Sequence, residues 1–170
     1  MAEDHESVMD HFTGLKVVEE VIAKGPLKSS VRLKGGVEVD LRVFNAESFG
    51  AAMVYFTGSK ETNVELRRVA ISKGLKLNEY GVYRDDTLIA GETEEEVFRA
   101  LDMDSPEPEL RENRGEVDAA FRGELPDLVD YNEIRGDLHL HTNWSDGKSE
   151  IHEMAKKAVD LGYEYMAVTD

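Results

Sequence analysis

The feature that most constrains the fold is an alternation of apolar and polar side chains between Val37 and Val43. Successive side chains of a β-strand point to opposite faces, so this pattern predicts a strand with one buried face and one solvent-facing side. The polar side carries Glu38, Asp40 and Arg42. The sequence therefore predicts a carboxylate held on the exposed face of a sheet.

A turn that contains Gly58 follows this strand along the chain. It closes the run Tyr55–Ser59, after which a helical pattern continues to about Gly74, with Ser59 as a suitable N-cap. Helix N-termini attract anions and carboxylates bind Mg²⁺, so a carboxylate near this turn suits a metal-bound phosphate. The pattern alone is more typical of an ordinary half-buried strand followed by an ordinary helix, and the metal-site interpretation stays open beside it.

Four short motifs make this stretch more specific. They occur in the order Asp40-Leu41-Arg42, Tyr55-Phe56-Thr57-Gly58-Ser59, Asn63 with Arg67, and Asn78-Glu79-Tyr80. Together they resemble the end of the palm and the start of the thumb in the family X DNA polymerases, the DNA polymerase beta-like enzymes. The resemblance extends over about residues 8–111 and implies template-directed nucleotidyl transfer, as in gap-filling repair.

The resemblance implies a role for each matched residue. Asp40 corresponds to one of three catalytic carboxylates that hold Mg²⁺, because two divalent ions need several carboxylates to balance their charge. A glycine backbone at the turn lets the sugar of the incoming nucleotide approach closely. The implied nucleotide- and DNA-binding residues are Arg42, Tyr55, Phe56, Gly58, Ser59, Asn63, Arg67, Glu79 and Tyr80.

Two positions depart from the polymerase beta pattern. Glu38 replaces an arginine that contacts primer phosphate, and Lys60 replaces an aspartate beside Ser59. The first two catalytic carboxylates of the family follow a glycine-serine loop, and neither the loop nor the pair precedes Val8. We therefore expect an internal segment of a longer polymerase that is inactive by itself.

The net charge of the chain argues against nonspecific electrostatic binding of nucleic acid. The chain has 20 basic and 36 acidic residues, a net charge of −16, whereas phosphate binding requires basic residues. The acidic excess is concentrated at residues 92–96 and 102–116, which we interpret as solvated faces.

Cysteine is absent, which excludes disulfides and thiolate metal sites and fits a cytoplasmic protein. No apolar run has transmembrane length, so we expect no membrane partner.

The remaining patterns predict several further elements. Residues 113–133 are acidic and weakly periodic, and we expect a partly disordered linker there. The other expected elements are helices at 5–12 and 16–23, a strand at 27–33, a loop and strand at 44–54, a hairpin turning at Asp85-Asp86-Thr87, and a capped helix from Thr93 to about Met103.

A second candidate site lies near the end of the chain. His139 and His141 are two residues apart on a predicted strand, so both imidazoles project from one face, and Asp146 returns after a turn. Imidazole with carboxylate suits Mn²⁺ or Zn²⁺. The surrounding residues, Asp137 and Ser145-Asp146-Gly147, resemble the first motif of the polymerase-and-histidinol-phosphatase (PHP) domain, which implies a metal-dependent phosphoesterase or 3′-exonuclease.

These observations predict an α+β protein with four segments. They are a partial nucleotidyltransferase palm at 1–46, a small α/β thumb at 47–112, an acidic linker at 113–134, and the first βαβ unit of a PHP-type distorted barrel at 135–170. We expect a monomer whose parent protein binds gapped or primer–template DNA and dNTP. Two alternatives stay open, namely a stand-alone PHP-type phosphoesterase and a non-catalytic DNA-binding or interaction module.

Overall fold

A computed structural model describes residues 4–170, so the first three residues of the predicted palm segment lie outside the described residues. The chain divides into two compact units, Met1–Leu125 and Pro126–Asp170. The mixture of helices with antiparallel and parallel strands confirms the predicted α+β class. None of the helices in the described part of the chain is long and apolar enough to cross a membrane.

The first unit begins with a helix packed on a three-stranded antiparallel sheet. Asp4 caps the helix, because its Oδ1 accepts a hydrogen bond from the Ser7 amide at 3.0 Å. Met9 on the helix and Val31 on the central strand are 1% and 0% exposed, and the helix packs against β1 and β2. The elements are α1 (His5–Thr13), β1 (Val18–Lys24), β2 (Lys28–Leu33) and β3 (Glu38–Arg42), with β2 in the centre.

Strand β1 corrects the helix predicted at 16–23. It pairs with β2 in antiparallel register, with Val21 opposite Val31, and two irregularities interrupt the ladder. The valines and isoleucine of this segment have a spacing that a helix also allows, but β-branched side chains favour strands. The decisive factor is the pairing with β2, a partner that the local pattern does not show.

The predicted thumb segment, residues 47–112, follows and contains most of the buried apolar residues. Its core cluster joins Val54, Leu66, Val82 and Phe98, all 2% exposed or less. Its helices and strands are α2 (Phe49–Thr57), α3 (Lys60–Ser72), β4 (Lys76–Asn78), β5 (Gly81–Arg84), β6 (Thr87–Ala90) and α4 (Glu94–Ala100). The strands form one antiparallel sheet in the order β4-β5-β6.

Helix α2 corrects the loop and strand predicted at 44–54. A short 3-10 turn at Ala46–Ser48 leads directly into it. Short apolar runs do not distinguish strand from helix by periodicity alone. Gly50 lets α2 pack closely against the backbone at Thr93. A Cβ at this position would lie 2.1 Å from the backbone carbon of Thr93, so only glycine permits this approach.

The other thumb elements agree with the sequence pattern. The turn at Asp85-Asp86 joins β5 to β6 as predicted, and Asp85 has a φ of 53°. Thr93 caps α4, because its Oγ1 accepts from the Glu96 amide at 3.2 Å, although α4 ends at Ala100 rather than near Met103.

A further helix corrects the expected linker after the thumb. Helix α5 (Glu116–Arg122) lies within residues 113–133, and Val117 and Ala120 join the thumb core at 6% and 2% exposure. Within this segment, residues 116–122 are therefore helical, and partial disorder in the rest of it stays a prediction. Its acidic composition concealed this, because Glu116 is itself buried at 7% exposure.

The second unit contains a βαβ arrangement, as predicted. Strands β7 (Gly136–Leu140) and β8 (Tyr165–Val168) pair in parallel, and helix α6 (Ile151–Asp160) connects them. Only Leu140 and Thr142 are buried among residues 126–170. Strand β8 and the apolar side of α6 are therefore half-buried or exposed, since a sheet of two strands covers little of either.

Candidate nucleotidyl-transfer and metal sites

Asp40 lies on the exposed face of β3, as the alternation predicts. Its side chain is 55% exposed, and Lys28 Nζ lies 2.9 Å from Oδ2. Ser30, directly opposite on β2, donates its hydroxyl to Oδ1. The hydrogen bond from Ser30, followed by that from Lys28, holds the pKa of Asp40 below its usual range. Asp40 therefore presents an ionised oxygen ligand to solvent, which fits a hard cation such as Mg²⁺.

Arg42 connects this carboxylate to the thumb. It follows Asp40 by two residues on the same strand, and its guanidinium lies 5.2 Å from the centroid of the Phe56 ring. Its Nη1 is also 3.9 Å from Glu79 Oε1. Asp40, Arg42 and Phe56 together line a cleft of about 350 Å³. The structure thus places the predicted metal ligand Asp40 in the same cleft as Phe56, a predicted nucleotide-binding residue.

An aromatic group surrounds Phe56, and one member was not predicted. Phe44 lies 6.0 Å from the Phe56 ring and 5.7 Å from the Tyr80 ring, and Tyr55 lies 5.0 Å from Phe56. Offset and edge-to-face contacts at these distances stabilise aromatic pairs. The signal for Phe44 was present, because it continues the every-second-residue spacing of Asp40 and Arg42.

The turn at the end of α2 lines a second cleft, of about 310 Å³. Gly58 has a φ of 77°, a conformation that disfavours any side chain. Asn63 Nδ2 donates to the Tyr55 carbonyl oxygen at 2.7 Å, which joins α3 to the end of α2. The residues that line this cleft are Tyr55, Phe56, Thr57, Gly58, Ser59, Lys60, Asn63 and Arg67.

All six residues predicted between Tyr55 and Arg67 therefore lie in one cleft, and Ser59 acts as the predicted N-cap. Its Oγ accepts from the Thr62 amide at 3.2 Å. Lys60 and Arg67 place cationic side chains along the cleft, beside the N-terminus of the thirteen-residue α3. Both features favour an anionic ligand.

The second site centres on two histidines. His139 and His141 Nε2 atoms are 3.3 Å apart, and the two rings meet edge to face at 4.9 Å between centroids. Both rings therefore project from the same side of β7, as predicted. The opposite nitrogen of His139, Nδ1, lies 3.3 Å from Thr169 Oγ1. Two converging imidazole nitrogens form a donor pair that suits Mn²⁺ or Zn²⁺.

Asp146 lies on the other side of the His141 ring. Its Oδ1 is 3.2 Å from His141 Nδ1, and Ser145 Oγ is also 3.2 Å from that nitrogen. Ser145 Oγ donates to Asp170 Oδ1 at 2.6 Å, and the bonds from Ser145 and Thr142 lower the pKa of Asp170. Asp146 thus orients His141 in this structure, and its predicted role as a direct ligand stays a prediction.

Among residues 4–170, no group of three or more histidine, aspartate or glutamate side chains is arranged to hold a metal ion. The roles of Asp40 and of the pair of histidines as metal ligands stay predictions.

Two protein families match the chain. The family model described as DNA polymerase beta thumb matches residues 52–112, and the one described as PHP domain matches residues 137–170. The first match contains the motifs from Tyr55 to Tyr80 and the second begins at Asp137, whereas Asp40-Leu41-Arg42 lies outside both matches.

Individual relatives give the same result. The DNA polymerase/3′-5′ exonuclease PolX of Bacillus subtilis is 36% identical over 178 residues, which covers 100% of this chain and 30% of that protein. DNA polymerase IV of Saccharomyces cerevisiae is 37% identical over 65 residues, which covers 38% of this chain and 11% of that protein. The chain thus spans less than a third of either relative.

Solved structures support the fold. Leishmania infantum polymerase beta in a ternary gap complex is 28% identical with a TM-score of 0.55, covering 66% of this chain and 52% of that one. The same polymerase in a ternary P/T complex is 30% identical with a TM-score of 0.55, covering 66% and 56%.

Proposed function

We propose that this chain, which is related to the family X DNA polymerases through its beta-type thumb and the beginning of a PHP domain, supplies part of the catalytic surface of a DNA repair polymerase. Its role is template-directed transfer of a nucleotide to a primer end. The thumb match argues against a stand-alone phosphoesterase with an unrelated N-terminal module.

The observation that carries this proposal is the position of Arg42. Its guanidinium lies over the Phe56 ring at 5.2 Å, and Phe56 belongs both to the cleft beside Asp40 and to the cleft at the Gly58 turn. An ionised carboxylate and an anion-attracting cleft therefore share a wall. Nucleotidyl transfer needs this adjacency, because the metal-binding group must reach the phosphates of a nucleotide whose sugar lies on the turn.

Each side chain then has a physical task. Asp40 would hold Mg²⁺, and the chemistry that Mg²⁺ supplies at such a site is stabilisation of charge on phosphoryl oxygens. Ser30 and Lys28 keep Asp40 ionised and oriented. Lys60 and Arg67 attract the triphosphate or template phosphates, and the backbone at Gly58 offers a floor without a side chain. We propose dNTP and gapped or primer–template DNA as ligands, with the protein acting as a monomer.

A hybrid protein tests this proposal. The chain replaces the aligned segment of the Bacillus subtilis polymerase/exonuclease, and primer extension is measured with Mg²⁺. Asp40→Asn should lower extension by about 10³-fold or more, since a transition-state contact is lost. The matched control is Asp10→Asn, which changes an exposed carboxylate paired with Lys24 in the same unit. Equal activity of the two variants would contradict the proposal and favour a non-catalytic DNA-binding module.

A second function is favoured by the convergence of His139 and His141. We propose that this pair holds Mn²⁺ or Zn²⁺ in a phosphoesterase site, with Asp146 and Ser145 fixing the orientation of His141. The chemistry that such an ion supplies is activation of water toward a phosphodiester. The role of the chain is to aim two imidazole nitrogens at one point.

Calorimetric titration of the whole chain with Mn²⁺ or Zn²⁺ tests this second site. His139→Asn and His141→Asn should each weaken binding at least tenfold, about the lower effect expected for disturbing a metal site. His152→Asn is the control, because His152 is 73% exposed and pairs with Glu150 at 3.1 Å. Unchanged binding in the first two variants would contradict a metal site at this pair.

A further inference from the structure

The Gly58–Ser59 turn is hydrogen-bonded to the last residues of the predicted thumb segment. The Ser59 amide donates to the carbonyl oxygen of Arg111 at 2.7 Å. Ser59 Oγ lies 3.1 Å from Thr62 Oγ1 as well as capping α3. One residue in the wall of the nucleotide cleft is therefore bonded both to its own helix and to residue 111.

Thr62 continues this connection into the protein interior. It is fully buried, its Oγ1 donates to Glu116 Oε1 at 2.9 Å, and it accepts from the Asn113 amide at 3.0 Å. A hydroxyl has one proton and two lone pairs. Because that proton goes to Glu116, Ser59 Oγ donates its own proton toward Thr62. The proton and both lone pairs of the Thr62 hydroxyl then have partners, and the Asn113 amide is shared between Thr62 and Glu116.

Glu116 anchors the other end of the network. Its two oxygens accept from the amides of Asn113 at 2.8 Å and Arg114 at 2.7 Å. Burial raises the pKa of Glu116, but hydrogen bonds from its own amide, Thr62 and these amides outweigh it and leave the pKa below its usual value. The Glu116 carboxylate is ionised and only 7% exposed, so loss of any one of its hydrogen-bond donors would leave a buried negative charge without compensation. The donors are therefore held in place.

Arg111 fixes the carbonyl group that Ser59 uses. Its guanidinium is 2% exposed and binds both carboxylate oxygens of Glu94, at 2.7 and 3.1 Å. Its Nε donates to the Pro106 carbonyl oxygen at 2.9 Å, and the group lies 5.1 Å from the Phe98 ring centroid. A bidentate pair of this kind adds geometric specificity, so the backbone at residue 111 has little freedom.

We infer that Thr62, Arg111 and Glu116 are positioning residues that hold the Gly58–Ser59 turn at the depth where a deoxyribose fits. They touch no substrate, and they act through the turn. This inference deepens the proposed function and rests on it, because the turn selects a sugar only if the cleft binds a nucleotide. A misplacement of about 1 Å can lower a reaction rate about 100-fold, so residues that fix the position of the turn would set the discrimination against ribose.

Amide hydrogen exchange at Ser59, measured in the whole chain, tests the support itself. Thr62→Val keeps the buried shape but removes the hydroxyl, and it should speed exchange at Ser59 about tenfold or more. Thr62→Ser keeps the hydroxyl and should stay within about twofold of the original chain. Equal exchange in both variants would overturn the inference.

A second variant serves if Thr62→Val does not fold. Glu116→Gln removes one acceptor and the charge, and it should also speed exchange at Ser59. Glu65→Gln on α3, where the side chain is 37% exposed, should not. An effect of the same size in both glutamate variants would overturn the inference, because Glu65 only pairs with Arg68 at the surface.

The hybrid polymerase tests the consequence for nucleotide choice, with dNTP and rNTP as probes. Thr62→Val should raise KM for dNTP and lower discrimination against rNTP by about fivefold to tenfold, with kcat within about twofold, and Thr62→Ser should restore both. Unchanged discrimination would overturn the inference. A hybrid that carries the unaltered chain and extends no primer would instead contradict the proposed function, and the exchange result would then decide whether this network positions the turn.

Discussion

The units Met1–Leu125 and Pro126–Asp170 contain similar elements but bury them to different extents. In the first, helices and strands surround a cluster in which Leu66, Phe98 and Leu101 are 0% exposed. In the second, helix α6 has no buried residue, and Trp144 is 85% exposed. The first unit thus has a core that stabilises its clefts, whereas the second has local elements around two histidines.

The two units are stabilised in different ways, the first by burial of apolar side chains and the second by local sequence preferences. Burial of apolar area stabilises the thumb and fixes its clefts, because each core side chain contributes on the order of 1.5–3 kcal/mol. In the second unit, the strand pair and the amphipathic helix follow local sequence preferences, and a two-stranded sheet gains little from burial. Substitutions in the first unit should therefore change stability, and those in the second should change ligand binding.

The largest expected effect is that of a core truncation. Phe98→Ala should lower the free energy of unfolding of the first unit by about 3–5 kcal/mol, since a buried aromatic is replaced by a cavity. Leu140→Ala in the second unit should leave that value within about 0.5 kcal/mol. Urea unfolding followed by far-ultraviolet circular dichroism measures both variants.

Fluorescence of Trp144, the one tryptophan in the sequence, separates the units in the same experiment. Because Trp144 is already exposed, the cooperative transition of the first unit should leave its emission almost unchanged. A large emission change that coincides with the transition would show that the two units unfold together and would break the comparison.

The next effect concerns Glu116 and pH. Its folded-state pKa is depressed, so its stabilising contribution is present above the unfolded-state pKa, about 4.3, and is lost as pH falls through the folded-state pKa. Glu116→Gln should lower stability by about 1–3 kcal/mol at neutral pH. The variant should also show a shallower loss of stability in acid than the original chain.

Unfolding free energies measured at a series of pH values from neutral to acid check this dependence. The Glu65→Gln variant serves as the control and should follow the original curve. Parallel curves for Glu116→Gln and the original chain would mean that the carboxylate does not titrate differently in the folded state.

The smallest effect is expected in the second unit. Ser145→Ala removes a hydroxyl 3.2 Å from His141 Nδ1 and should weaken Mn²⁺ binding about tenfold by loosening the ring orientation. The stability of the first unit should not change. Calorimetry measures the Mn²⁺ affinity and urea unfolding measures the stability of the first unit in the same sample. A loss of that stability without a loss of metal affinity would contradict the expected difference between the two units.

Local patterns predicted much of the first site. The alternation around Asp40, the N-caps Ser59 and Thr93, and the Asp85 turn depend on neighbours within a few residues, and the structure has each of them. The two histidines on one face of β7 follow from strand geometry in the same way. Their roles in catalysis and metal binding came from the resemblance and remain predictions.

The errors share a physical cause. Strand β1 depends on pairing with β2, and helix α2 depends on the close approach of Gly50 to Thr93, neither of which a local pattern contains. Helix α5 was hidden because Glu116 looked like a solvated charge, while its hydrogen-bond partner Thr62 lies 54 positions earlier. Composition cannot distinguish a solvated carboxylate from a buried carboxylate that accepts hydrogen bonds from distant parts of the chain.

The central proposal is that this chain contributes residues to two separate sites of phosphoryl chemistry, one in each unit. A crossed measurement in the hybrid protein tests it most directly, with primer extension and phosphodiester hydrolysis assayed for Asp40→Asn and for His141→Asn. The account predicts that Asp40→Asn loses extension and keeps hydrolysis, while His141→Asn shows the reverse. Loss of both activities in either variant, with circular dichroism unchanged, would contradict it.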